Sequence, residues 1–348
     1  MIAWLVAMVP LVTAIAAQVP AQDKAVQPER LFRSREPVEM TLRAPLGQVF
    51  KDRDTMSTKS WPGTIEVMDE KRGLVVIPVV LETRGHFRLQ RAGCSFAPLK
   101  VRFAKDATKG TIFNDQKTLK LVTHCQAGAR YEQNLLVEEA TYRMYNALTP
   151  LSHRTRLARV RYVPEDSSKA LTRFGFFIED DDDMAKRNNG KLLMQTGGSF
   201  SDMEPSQMDL VSLFQYMIGN TDWSVFAIHN IRVVDRVASA NGFYFPVAYD
   251  FDFSGLVGAS YAEPDERLPI KSVKTRLYRG PCRTISDLMP ILELFNARRD
   301  SIYVVLQQSS GLTPGRGKEA REYLEGFFDE IKEPKYFDRA LGYACRGR

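Results

Sequence analysis

Four polar side chains in the second half of the chain have the types and spacing of a phosphate-handling metal site. Asp222 and Asn230 lie in a polar loop after an amphipathic helix that ends at Gly219, and Asp250 and Asp252 close the second of two strands. Carboxylates and amides are hard oxygen ligands, and Mg²⁺ bridging phosphate oxygens needs one or two carboxylates. Residues two apart on a strand face one side, and like charges so close repel unless a cation or a proton intervenes. The stretch therefore predicts a divalent-cation site.

The elements that must position these residues differ between the two halves of the chain. Alternating apolar and β-branched residues predict strands at 38–44, 63–69, 74–85, 98–104, 119–125, 156–163 and 173–179. A helix is predicted at 134–148 among them. After the acidic run 180–183, helices are predicted from Pro205 to Gly219, at 286–308 and at 318–331.

This order of elements predicts an α+β protein with a bilobal, protein-kinase-like fold. The predicted divisions are a signal peptide at 1–22, a polar tether at 23–37, a β-rich N-terminal lobe with one helix at 38–183, and a mainly helical C-terminal lobe at 184–348. The C-terminal lobe would contain the acidic hairpin. No internal repeat or low-complexity tract interrupts this division.

The composition limits the classes of partner. The formal net charge is +6, with 42 acidic residues spread among 48 basic ones. Nucleic-acid binding usually shows a concentrated basic stripe with interleaved aromatics, and no such stripe occurs. We therefore expect no nucleic-acid partner.

The N-terminal segment indicates export. Residues 1–22 hold an apolar run without a charged side chain, followed within the segment by the small residues Ala14, Ala16, Ala17 and Ala21, as in a secretory signal peptide. An uncleaved membrane anchor is the alternative, but Pro10 and Pro20 interrupt the length that a bilayer requires. The predicted location is periplasmic or secreted, with no membrane span in the mature chain.

Export also makes disulfides plausible for the four cysteines. Their spacing is not that of a zinc site. Proximity in the sequence favours Cys94 with Cys125 and Cys282 with Cys345, and four unpaired thiols are the alternative.

Several stretches, taken in chain order, resemble the spore coat protein H (CotH-like) atypical kinase family. RGHFR at 84–88 looks like that family's RGN-type turn, and PLKVRF resembles the lysine-bearing strand that follows it. NLLVEEATYRMYNALTPLSHRTRLARVRYV is similar to the family's helix, the short link after it and the next strand, and FGFFIED resembles the strand that leads to the hinge. IGNTDWS with His229-Asn230 resembles the catalytic loop, and AYDFDFSG resembles the paired-Asp motif. The resemblance covers about residues 80–260, and the combined motifs are also typical of exported bacterial proteins.

The resemblance implies catalytic and metal-binding roles. Asp222 would be the catalytic base, and Asn230 would assist it and bind metal. Asp250 would hold Mg²⁺ or Mn²⁺, with Asp252 as a second ligand or an alternate. Because the amide lies eight residues after the Asp instead of the usual five, Asn220 is an alternative to Asn230.

The resemblance also implies a nucleotide site for ATP or a related nucleotide. Lys100 would neutralise the phosphates, and Glu138 or Glu139 would hold it by an ion pair. Lys120 is a rival for the same role. The adenine would meet backbone groups near Glu179.

Phosphate contact would fall to the turn at Arg84 and Gly85. No GxGxxG loop precedes the lysine strand, so contact with the nucleotide phosphates would depend on this turn. Arg88 adds a second guanidinium that could donate to phosphate oxygens.

Two functions follow as expectations. The first is an exported, metal-dependent phosphotransferase that moves phosphate from a nucleotide to a protein or glycan hydroxyl. The second is a non-catalytic, kinase-like binding module of the cell envelope. Scarcity of ATP outside the cytoplasm favours the module, whereas two adjacent carboxylates favour the enzyme, because a scaffold gains nothing from them.

Overall fold

The computed structural model describes residues 27–69, 72–90, 93–165, 169–193, 198–236, 242–342 and 345. The predicted signal peptide at 1–22 and residues 23–26 of the predicted tether lie outside these ranges. Within the rest of that tether, Arg30–Phe32 forms a 3-10 turn whose Leu31 and Phe32 are buried. This part of the segment belongs to the folded unit.

Seven strands close into a mixed barrel. They are β1 (Val38–Ala44), β2 (Trp61–Asp69), β3 (Gly73–Thr83), β4 (Leu99–Phe103), β5 (Thr118–Val122), β6 (Thr155–Pro164) and β7 (Leu171–Ile178). Their order around the barrel is β1-β2-β3-β4-β5-β7-β6. Neighbouring strands are antiparallel except β1 and β6, which pair in parallel with Val38 opposite Ala158 and Ala44 opposite Pro164. This parallel pair closes the barrel.

The prediction of a bilobal protein-kinase-like fold with a helical C-terminal lobe was wrong. The β-rich part is a closed seven-stranded barrel, because β1 and β6 pair across more than a hundred residues of chain. The later half is not purely helical, since it contains a three-stranded sheet, and its helices share a core with the helix from the first half. Strand patterns predict which residues are extended, but they carry no information on such distant pairing.

The remaining elements form a second layer. The helices are α1 (Leu46–Val49), α2 (Phe87–Gln90), α3 (Ala129–Leu148), α4 (Asp181–Arg187), α5 (Pro205–Ile218), α6 (Ile285–Gln307), α7 (Pro314–Lys332) and α8 (Pro334–Leu341). The second sheet has the order β10-β9-β8, from β8 (Gly190–Leu192), β9 (Ile231–Arg236) and β10 (Phe245–Ala248). The acidic run predicted as the end of the β-rich half is the start of α4, where Asp180 accepts a hydrogen bond from the Asp182 N–H.

Strand β7 joins the two hydrophobic cores, because alternate residues on a strand face opposite sides. Phe177 packs inside the barrel, whereas Phe176 and Ile178 pack with the helices. Helix α3 lies against this outer face of the barrel and also packs on α6. Helix α3 is therefore the element through which the barrel positions residues of the second layer.

Local signals at both ends of α5 set where the loop after it begins. Pro205 occupies the first turn, and the Glu204 side chain accepts hydrogen bonds from the N–H groups of Ser206 and Gln207. The helix ends at Gly219, whose φ of 66° is left-handed. A Cβ at this position would also overlap the hydroxyl of Tyr323.

Both predicted disulfides are confirmed. Cys94 is bonded to Cys125, and Cys282 is bonded to Cys345. The first of these ties the segment after α2 to the residues that follow β5.

Across the part of the chain that the structure describes, no helix is long and apolar enough to span a bilayer.

Candidate functional site

A cavity of about 300 Å³ opens where one end of the barrel meets the second layer. Its lining comes from the turn 84–88, Pro98, Val122, Glu138 of helix α3, the two ends of the loop 222–230, and the turn 250–253. The residues predicted from the sequence that lie here together are Arg84, Glu138, Asp222, Asn230, Asp250 and Asp252. Lys100, Glu139 and Glu179 do not line this cavity.

Asn220 shapes the start of the loop instead of replacing Asn230. Its amide donates to Gln215 Oε1 at 3.0 Å, and its Oδ1 accepts from the Asp222 N–H at 3.0 Å. The side chain is only 1% exposed, so it is committed to holding the backbone at Asp222.

The Asp222 carboxylate is held from both sides. Its Oδ1 lies 2.9 Å from His229 Nε2, and its Oδ2 accepts from the Asn230 amide at 3.0 Å. The two ends of the loop meet because Ser224 and His229 exchange backbone hydrogen bonds of 3.0 and 2.9 Å. Asn230 has a left-handed φ of 51°, a conformation that Asn tolerates better than most residues.

His229 is electrostatically coupled to this carboxylate. The hydrogen bond with Asp222 raises the pKa of His229, and the charges of Asp222 and Asp250 add to the effect, while burial opposes it. The side chains of Asp222 and His229 are 39% and 54% exposed. A substrate in the cavity can therefore reach this pair.

Asp250 and Asp252 are brought together by a turn, not by a strand. Strand β10 ends at Ala248, and Asp250 has a left-handed φ of 62°. The Asp250 N–H donates to the hydroxyl of Tyr142 at 2.8 Å, and Asp252 Oδ2 accepts from the hydroxyl of Tyr261 at 2.8 Å. The sequence argument that both side chains face one side therefore reached the right cavity for the wrong reason.

Glu138 of α3 adds a third carboxyl beside Asp250 and Asp252, and it is buried, only 4% exposed. Burial raises the pKa of Glu138 well above its usual range, and the charges of Asp252 and Asp250 raise it further. Burial and the charge of Asp250 likewise raise the pKa of Asp252 to about 7. The cavity therefore holds acidic groups whose charged forms repel one another.

Two arginines provide positive charge on the same cavity. Arg88 is 9% exposed and donates from Nη2 to the Thr123 carbonyl at 2.6 Å, while its buried Nε has no hydrogen-bond partner in the described part of the chain. Arg84 donates from its backbone N–H to Pro98, and its guanidinium forms no ion pair with any residue that the structure describes. Both guanidinium groups retain donors for an anion.

The two candidate lysines are engaged in ion pairs outside the cavity lining. Lys100 is paired with Glu82 at 3.2 Å and is 44% exposed. Lys120 is paired with Asp181 at 3.0 Å. Arg232 binds the other side of Asp181 and also donates to the hydroxyl of Tyr249.

Glu139 and Glu179, which were predicted along with Glu138 to take part in nucleotide binding, have structural partners. Glu139 accepts from Thr155 Oγ1 at 2.9 Å, because adjacent helical residues face different directions. Glu179 is 1% exposed, and Arg187 donates to both of its oxygens, at 2.9 and 2.8 Å. The Glu179 N–H already donates to the Arg154 carbonyl, so it is not open to an adenine.

The donor set fits a cation that arrives with a phosphate ligand. No three His, Cys, Asp or Glu side chains of the described residues are arranged to enclose a metal ion. Mg²⁺, however, is usually held by one or two carboxylates together with waters and substrate phosphates. Asp250 and Asp252 supply such a pair; burial, and then the charge of Asp250, raise the pKa of Asp252, and a bound cation would offset this cost of holding the charged carboxylate.

No family model, curated protein or solved structure matches this chain. The resemblance to CotH-like kinases therefore stays a prediction that rests on the quoted motifs.

Sequence reasoning missed the tyrosines that hold the site. Tyr142 has a signal in the sequence, since it lies four residues after Glu138 and so faces the same side of a helix. Tyr261 has none, because its contact with Asp252 depends on the path of an irregular segment.

Proposed function

We propose that the cavity binds a divalent cation together with a nucleotide, and that the protein transfers a phosphoryl group from that nucleotide to a protein or glycan hydroxyl. The observation that carries the proposal is the convergence of the Asp222–His229 pair with Asp250 and Asp252 on one cavity. Phosphoryl transfer asks mainly for positioning and charge neutralisation, and these groups supply both.

Each group has a role in this proposal. The Asp222 carboxylate, oriented by Asn230 and His229, accepts the proton of the acceptor hydroxyl. Arg84 and Arg88 bind phosphate oxygens of the donor through their unused donors. A cation held by Asp250 and Asp252 would neutralise phosphate charge.

The motif order of the CotH-like family supports the same reaction, and the apolar run at 1–22 supports an exported location. The closed barrel removes any argument from a kinase fold. The proposal therefore depends on the chemistry of the cavity.

A phosphate-binding envelope module without transfer activity is the second candidate. The placement of Lys100 outside the cavity and the engaged N–H of Glu179 favour it. Such a module would use the arginines and the carboxylate pair for binding alone.

Isothermal titration of the chain from residue 23 tests the proposal. We expect Mg²⁺ or Mn²⁺ alone to bind weakly, and each to bind at least ten times more tightly with ATP, because the phosphate completes the ligand set. An Asp250→Asn, Asp252→Asn double variant should lose this binding. The matched control is Asp300→Asn with Asp329→Asn, two carboxylates that are 90% and 72% exposed.

Phosphate transfer then separates the two candidates. Radiolabel moving from γ-labelled ATP to a protein or polysaccharide acceptor, and lost in Asp222→Asn, supports the enzyme. Binding without transfer supports the module. If the unmodified protein binds no ATP, with or without cation, the enzyme and a module that binds nucleotide phosphates are both excluded.

A further inference from the structure

The turn that carries the acidic pair has an unusual backbone. Asp250 adopts a φ of 62°, a left-handed conformation that residues other than glycine take infrequently. Such conformations persist when the surrounding structure holds them, and they concentrate at functional sites. Whatever fixes this conformation also fixes the directions of the carboxylates on either side of Phe251.

Tyr142 contacts this turn in two ways. Its hydroxyl accepts a hydrogen bond of 2.8 Å from the Asp250 N–H. Its ring lies 4.6 Å from the ring of Phe251, the fully buried residue between the two aspartates. Tyr142 is itself fully buried, so its hydroxyl meets the turn without competition from bulk water.

Tyr142 also connects the turn to the third carboxyl. It lies one helical turn after Glu138 on the rigid helix α3, so both residues face the same side. A single helix face therefore presents one carboxyl to the cavity and anchors the turn that presents two more.

We propose that Tyr142 is a positioning residue for the acidic pair. Its hydroxyl holds the Asp250 backbone in its left-handed conformation, so that Asp250 and Asp252 bind one cation–nucleotide complex. The binding of a cation–nucleotide complex in this inference rests on the proposed function. Tyr142 itself touches no reacting atom; it acts through the backbone of Asp250.

Tyr142→Phe removes the hydroxyl and leaves the ring that packs on Phe251. The Asp250 N–H then loses its partner, and the turn no longer has a fixed geometry. We expect the affinity for Mn²⁺ with ADP to fall about tenfold, the effect of losing roughly one good hydrogen bond. The far-ultraviolet circular dichroism should not change.

Tyr145→Phe is the matched control. Tyr145 lies on the same helix, is equally buried and stacks on Phe214 at 4.5 Å. Its hydroxyl receives only long contacts, from Ala248 at 3.5 Å and Gln207 at 3.4 Å. We expect its affinity for Mn²⁺ with ADP to stay within twofold of the unmodified protein.

Titration of Mn²⁺ with ADP into the three proteins, combined with amide hydrogen exchange of the segment 249–253 without ligand, tests the inference. Exchange at Asp250 should be at least tenfold faster in Tyr142→Phe and unchanged in Tyr145→Phe. Unchanged exchange, or equal losses of affinity in the two variants, would overturn the positioning role. If no protein binds Mn²⁺ with ADP, the proposed function fails, and the exchange data still decide whether Tyr142 holds the turn.

Discussion

The Asn230 amide donates to two atoms of Asp222, the backbone carbonyl at 2.7 Å and Oδ2 at 3.0 Å. Both contacts join residues eight apart, at the two ends of a loop that Ser224 and His229 close by backbone pairing. The amide N–H groups are thus used to orient Asp222, and only Asn230 Oδ1 is left for another ligand. The donations assign Asn230 a role in placing the base, and they leave Oδ1, the atom through which an amide binds a metal, available for the predicted metal role as well.

Replacing Asn230 with Ala should reduce phosphate transfer at least tenfold, because Asp222 loses both donations that orient it. An affinity for Mn²⁺ with ATP that changes by less than threefold would assign Asn230 to placing the base alone. Initial rates and isothermal titration check the two quantities separately. Asp250→Asn is the comparison, because it should reduce affinity as well. A loss of affinity in Asn230→Ala as large as that in Asp250→Asn would show that Asn230 is a ligand after all.

Asp252→Asn should stabilise the protein in the absence of ligand. Burial and Asp250 raise the Asp252 pKa from 3.8 to about 7, so the charged carboxylate costs free energy above neutral pH, and the amide removes that cost. We expect the free energy of unfolding to increase by about 1–3 kcal/mol at about pH 8. Urea unfolding measures it, with Asp300→Asn as a control in which a carboxylate that is 90% exposed is removed.

The pH dependence of stability follows with a definite sign. A carboxyl whose pKa is raised by folding binds its proton more tightly in the native state than in the unfolded chain. Lowering the pH from about 8 to about 5.5 should thus increase the stability of the unmodified protein through Asp252 and Glu138. The increase should be smaller in Asp252→Asn, and identical pH profiles would contradict the raised Asp252 pKa.

Arg187→Met should destabilise the protein without affecting ligand binding. It leaves Glu179, which is 1% exposed, as a buried charge without its bidentate partner. Breaking such a pair costs about 3–5 kcal/mol. The double variant Arg187→Met, Glu179→Gln should regain part of this loss in urea unfolding. Reduced affinity for Mn²⁺ with ATP in folded Arg187→Met would instead support the predicted nucleotide role of Glu179.

Arg84→Ala and Lys100→Ala should differ in their effect on nucleotide affinity. Arg84 lines the cavity without an ion-pair partner in the described ranges, whereas Lys100 is paired with Glu82 and 44% exposed. We expect Arg84→Ala to weaken ATP binding about tenfold or more, and Lys100→Ala to change it less than twofold. Thermal-shift titration gives both values, and the reverse order would restore Lys100 to the site.

Local sequence signals located most elements because their causes are local. Strand β1 has the bounds that alternation predicts, and α5 lies between its proline and its glycine. Helix α3 begins at Ala129, earlier than the apolar stripe indicates, because Gly128 and the polar first turn carry no apolar signal.

Residue types and their order pointed to Asp222, Asp250 and Asp252, which line one cavity, because carboxylates are hard oxygen ligands; their binding of a cation stays a prediction. Residue types and their order were also enough to favour the two disulfide pairings, since short separations are the ones most readily closed.

Only the tertiary structure decided the rest. The parallel pairing of β1 with β6 turns a predicted sheet into a barrel, and this depends on contacts between residues far apart in the chain. The direction in which each side chain points separated Glu138 from Glu139, and it placed Lys100 and Glu179 with structural partners. Sequence determines which groups are available, whereas packing determines which of them face one cavity.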